Sequence, residues 1–133
     1  MLLAAVGFGV SVRPDPAGAA EPTARFVPAP PCRLADVRDD TGFDRLDDLI
    51  ISVPVFDHCG VPAGATAVAL TMTVDASGVG AGGYVSAWPM ELPLSTTSIV
   101  NHWPGEVRAN GTIVGLGASG DLYVLSSARA PVI

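Results

Sequence analysis

Residues 66–74, TAVALTMTV, alternate without interruption: Val68, Leu70, Met72 and Val74 fall on one side of an extended chain, and Ala67, Ala69, Thr71 and Thr73 on the other. A period of two puts successive side chains on opposite faces of a strand, whereas a helix would bring together positions three and four apart. Larger apolar groups on one side, with small or hydroxyl-bearing ones on the other, predict an antiparallel sheet that buries one face only. Immediately upstream, HCGVPAGA (58–65) supplies Gly60 and Pro62 for a tight turn, next to one of two cysteines in the chain.

The same pattern recurs on both sides of this stretch. CRLADVR (32–38), LIISVPV (49–55), GYVSAWP (83–89), TSIVNHW (97–103), GTIVGLG (111–117) and DLYVLS (121–126) read as further short strands. They are separated by the turn-forming segments GVGAGG, ELPLS and GASGD. Pro54 cannot donate to a ladder and favours an edge for its strand. No ten-residue window beyond the N-terminal segment shows a capped helical period. The expected fold is all-β: an antiparallel β-sandwich, Ig-like or jelly-roll-like, of about seven short strands, with a small β-barrel as the alternative.

The 133 residues suffice for one core-forming domain. Three segments are expected. Residues 1–20 read as a signal peptide: LLAAVGFGVSV (2–12) is apolar and too short to span a bilayer, and Ala17, Ala19 and Ala20 suit cleavage, although no basic residue precedes Leu2. Residues 21–31, with four prolines, form an extended lead-in. Residues 32–133 form the sandwich.

All seven basic residues are arginine, the net charge is −6, and no stretch gathers cations on one face. Nucleic acid is therefore excluded as an expected partner, since phosphate neutralisation needs several Arg or Lys together. No membrane association is expected after cleavage of the leader. Export would place Cys32 and Cys59 in an oxidising compartment, where an even pair reads as a disulfide. Closing their 27-residue separation stabilises the fold by roughly 3–4 kcal/mol in the chain-entropy account. A zinc site is disfavoured: His58 adjoins Cys59, but there is no CxxC, and His102 has no ligand beside it.

Other candidate chemistry is weaker. Gly78, Gly80 and Gly83 satisfy G-x-G-x-x-G formally, but a strand and not a helix follows, so no dinucleotide and no other cofactor is expected. Six aspartates lie between Asp36 and Asp48. They lack the order of a calcium loop, and Arg38 and Arg45 sit among them as ion-pair partners, so a solvated loop at 39–48 is preferred over a cation site. Ser119 in GASGD lacks the nucleophile-elbow setting, and neither His58 nor His102 stands in a diagnostic order with an acid and a serine. NGT (110–112) is formally a glycosylation acceptor and equally a turn. The aromatics carry the best binding hypothesis. Tyr84, Trp88 and Trp103 could form a platform on which sugar rings stack, against the alternative that the two indoles fill the core.

CRLADVR, CGVPAGATAVALTMTV, GYVSAWP and STTSIVNHWPGEVRANGTIVGLGASGDLYV together resemble a module of secreted actinobacterial proteins. The pattern of that module is C-R-L-x-D-T-R, C-G-V-P, W-P and A-N followed by L-G-x-x-G. The resemblance runs from Cys32 to the end of the chain. It implies a non-catalytic domain that occurs alone, in tandem or beside secreted hydrolases. Val37 departs from the pattern where threonine is usual, and similar proteins continue beyond ARAPVI into a closing strand. The function expected is a secreted or cell-envelope module with a structural, adhesive or accessory role, its partners a cell-surface glycan or other secreted domains. A carbohydrate-binding module is the first alternative and a small hydrolase the second.

Overall fold

The computed structural model describes residues 25–133, among which seven strands and no helix are found. In chain order these are β1 (Asp44–Arg45), β2 (Ile50–Pro54), β3 (Ala67–Asp75), β4 (Gly83–Pro89), β5 (Val100–His102), β6 (Val107–Gly115) and β7 (Asp121–Ser126). They form two antiparallel sheets, one of five strands in the order β1-β2-β7-β4-β5 and one of two, β3-β6. The sheets do not close into a barrel. The sandwich expected from the alternation is the architecture found, and the segment read as a signal peptide lies outside the described residues.

The core lies between the sheets and follows the predicted faces. Val68, Met72 and Val74 of β3 are buried, opposed by Ile51 and Val53 of β2, Val85 of β4, Val100 of β5 and Leu122 and Val124 of β7. Each fully buried Val or Leu contributes about 1.5–3 kcal/mol of transfer free energy. The register β3–β6 pairs Val68 with Val114, Leu70 with Thr112, Met72 with Asn110 and Val74 with Arg108. One face of this ribbon is thereby turned inward, while Ala69, Thr71, Gly111 and Ile113 face out.

Several local expectations are corrected. CRLADVR is not a strand. Asp36 makes one bridge to Thr41, and the chain turns between them because the Asp36 carboxylate accepts the backbone N–H of Arg38 at 3.0 Å. The loop expected at 39–48 contains β1, which pairs Asp44 with Ser52 and Arg45 with Ile51. Pro54 lies in an interior strand. The chain is not interrupted there, because even-numbered residues of β2 aim their amides toward the two-residue β1, which ends before reaching Pro54, while the Val55 amide donates to Gly120 across β7's side. The edge preference was right locally, and a short neighbour satisfies it.

The final residues lie along β3. Thr73 and Ile133 exchange both backbone hydrogen bonds, at 2.9 and 2.8 Å, and Asp75 N–H donates to Pro131 O at 2.8 Å. Val132 O also accepts from Val37 N–H at 3.0 Å, which fastens the segment leading into the Asp36 turn to the second sheet.

Candidate binding surface

Tyr84, Trp88 and Trp103 meet different fates. On β4 the inward positions are Val85 and Ala87, so Tyr84, Ser86 and Trp88 all point to the outer side of the five-stranded sheet. Trp88 is nevertheless only 5% exposed. Its indole meets the Tyr123 ring edge-on, with centroids 5.9 Å apart and planes at 79°. Such a pair contributes about 0.5–1.5 kcal/mol beyond its buried area. Trp88 is thus a packing residue and is withdrawn from the proposed platform. Beside it, the buried Ser86 hydroxyl donates to Thr97 O at 2.5 Å and draws the β4–β5 connection back over the strand.

Tyr84 and Trp103 stay on the surface, at 42% and 69% exposure. The register sets Tyr84 opposite Asn101. Val100 and His102 are buried, so the alternation sends Asn101 and Trp103 to the outer side. Trp103 follows β5 directly, two residues beyond the Asn101 that faces Tyr84, so the two exposed aromatics lie at the same end of the β4–β5 pair. Local structure holds both ends of this pair. Trp103 N–H donates to Glu106 Oε2 at 2.9 Å, closing the turn Trp103–Glu106, and Tyr84 N–H donates to Ser127 Oγ at 2.9 Å. Gly83 lies against the His102 imidazole, and a Cβ there would collide with Ala128 and Ser127. This glycine lets His102 bury under the pair.

Four arginines among the described residues are engaged with carboxylates. Asp36 is buried and accepts from Arg33 Nη1 at 2.7 Å and from Arg38 Nη2 at 2.9 Å and Nε at 3.1 Å, and Arg38 reaches Asp75 at 3.6 Å. Hydrogen bonding by Arg38 draws the Asp36 carboxyl down to about 2, against the opposing effect of burial. Asp47 accepts the amides of Leu49 and Ile50, and Asp48 pairs with Arg129. The other expected arginine partner, Arg45, lies over the Phe43 ring at 5.4 Å instead of on a carboxylate. Among the described residues no three His, Cys, Asp or Glu side chains come together as a metal site.

Cys32 and Cys59 are joined, with Cα atoms 5.6 Å apart. Neither histidine hydrogen-bonds a serine among the described residues: His58 Nδ1 contacts Phe56 O at 2.9 Å, and His102 Nε2, which shares the space beside Gly83 with Ser127 Oγ, is buried without a hydrogen-bond partner among them. Gly78 and Gly80 lie in the loop before β4 with open space around them. In the NGT segment, Asn110 is a strand residue whose Nδ2 donates to Ile99 O at 2.9 Å, linking β6 to the approach of β5.

Sequence reasoning missed Glu91. Its carboxylate accepts the Ser119 amide at 2.7 Å, and this bond, more than any other, holds its pKa below the usual carboxylate value. The only signal in the sequence was Gly117, where any Cβ would overlap the Glu91 carboxylate. In comparisons with known proteins, no family model, no curated protein and no solved structure matched the chain.

Proposed function

We propose that this protein is a non-catalytic binding module working outside the cytoplasm, in an adhesive or accessory role at the cell envelope or beside other secreted domains, with carbohydrate as its ligand class. The observation that carries the reading is the exposed pair Tyr84, on β4, and Trp103, the first residue after the neighbouring β5. Flat aromatic faces bind the apolar faces of sugar rings, and a ring already fixed on a sheet loses little conformational freedom when a ligand arrives. The Cys32–Cys59 bridge supports the compartment, because disulfides persist where thiols are not kept reduced. Asn101, exposed opposite Tyr84 in the register and fixed by a 3.1 Å bond from its Nδ2 to Ser98 Oγ, offers a polar group beside that ring.

The test is a glycan array followed by titration of the best polysaccharide, read by tryptophan emission. Because Trp88 is shielded, the emission change reports on Trp103. Binding that is lost in Trp103→Ala and weakened at least tenfold in Tyr84→Ala, with the thermal midpoint unchanged, supports the platform. Binding that survives both substitutions, or no binding across the array, removes carbohydrate and leaves the structural role, which localisation in fractionated cells then tests.

A further inference from the structure

We propose that the outer edge of β6 is a self-association edge, on which a second copy of this chain adds its own β6 antiparallel and joins the two small sheets into one continuous sheet. The parity of the β3–β6 ladder fixes which backbone groups are free. Leu116 N–H donates to Thr66 O, and Ala76 N–H to Glu106 O, so the even-numbered residues of β6 face β3. The odd-numbered residues Val107, Ala109, Gly111, Ile113 and Gly115 turn their N–H and C=O groups away from it, and they have no backbone partner among the described residues.

That edge lacks the usual protections. It is nine residues long, holds no proline, and its five outward rungs carry no charge. Val107 and Ile113 are among the most exposed apolar side chains, at 59% and 74%. Uncovered edges of this kind template pairing with another strand, and charges, prolines or bulges are what normally prevent it. On the opposite edge of the ribbon, the terminal residues 131–133 already cover Thr73 and Asp75 of β3.

The occupant follows from the side-chain order. About a two-fold axis through Gly111, antiparallel pairing sets Ile113 opposite Ala109 of the second copy and Val107 opposite its Gly115. Each large residue then meets a small one, and all five rungs are used. Shifting the axis by one rung either way loses a pair. The flanking Arg108 is held by Glu106 at 2.9 Å and faces Val114 of the other copy in this register, so like charges do not meet. Isologous pairing of this kind closes at two copies. A single strand pair buries far less than the roughly 1,200–2,000 Å² of a stable interface, so the dimer is expected to be concentration-dependent.

Sedimentation of the full chain from micromolar to millimolar concentration, with hydrogen exchange at both ends of the range, tests this. The expected result is a monomer–dimer equilibrium in which the amides of Ala109, Gly111, Ile113 and Gly115 gain at least tenfold protection on concentration, while Asn110 and Thr112 are protected throughout. Ile113→Lys, a surface change, should abolish dimerisation without moving the thermal midpoint of the dilute protein. A monomer across the whole range, a dimer that persists in both Ile113→Lys and Gly111→Pro, or protection gained instead at Ala67, Ala69 and Thr71 overturns it.

Discussion

A single carboxylate organises the first described turn of this protein. Asp36 is buried, yet its partners Arg33 and Arg38 keep much of their side chains in water, so the ion pairs are screened on one side and dry on the other. The folded-state value of about 2 lies below the ordinary value of 3.8. The unfolded chain therefore takes up the proton first on acidification, and the stabilisation is fully present above pH 4 and is lost as the pH falls toward 2. Thermal midpoints measured from pH 6 to pH 2 should fall more steeply below pH 4 in the native protein than in Asp36→Asn, which starts several degrees lower and gains nothing from the ionised state. Parallel curves would show that the pair is energetically silent. A glycine in the same turn makes a sharper prediction. Gly42 has φ +77°, and a Cβ there would overlap Leu34 O. Both strain and collision oppose Gly42→Ala, for which we expect a loss of about 2–3 kcal/mol in urea unfolding. Neither effect was legible in the sequence, because six aspartates in thirteen residues look alike until the fold chooses which one is buried.

Strand elements were legible to the degree that their own residues decide them. GYVSAWP and DLYVLS coincide with β4 and β7, and TAVALTMTV with β3 shifted by one residue, since period-two patterning and flanking glycines mark them locally. At β6 the start was misplaced by four residues. Asn110 and Gly111 favour a turn in isolation, but here they pair with Met72 and Thr71 in mid-ladder, and the long partner strand overrides their preference. The alternation Val107, Ala109, Gly111, Ile113 was visible but weak, because two of its members have little or no side chain. Asn110 also has a role in the element. Its amide is the side-chain link from β6 to Ile99 O, so Asn110→Asp replaces a donor with an acceptor facing a carbonyl. We expect a loss of about 1–3 kcal/mol, with faster exchange confined first to the β5 and β6 amides. Unchanged exchange there would show that the link is replaced by water. The aromatic pair was half legible. The shared face of Tyr84 and Trp88 follows from alternation along β4, whereas the antiparallel register that brings Trp103 to the Tyr84 end, and the burial of Trp88 against Tyr123 from β7, 35 residues away in sequence, depend on long-range pairing.

At the scale of the whole molecule, the sandwich is lopsided, with five strands facing two, and the small sheet is completed by segments that are not strands. Leu34, Ala35 and Val37 pack against the core, yet of the backbone hydrogen bonds made by Cys32 to Val37 among the described residues only one, from Val37 N–H to Val132 O, reaches beyond the 36–41 turn. A segment so sparsely held would peel away at small cost unless its end were tied. The Cys32–Cys59 bridge ties it to the turn after β2, where Cys59 and Gly60 both take positive φ. Breaking the bridge therefore frees more than one loop, since the buried Asp36 and three apolar contacts leave with it. For Cys59→Ser the chain-entropy account gives a loss of roughly 3–4 kcal/mol, which for a domain of this size lowers the thermal midpoint by roughly 10–20 °C. Reducing agent should produce the same fall in the native protein and none in the variant, and the acid sensitivity assigned to Asp36 should shrink in both. If reduction leaves the midpoint in place, the segment from Cys32 to Val37 is held by its packing alone and the bridge adds nothing measurable to the stability of the fold.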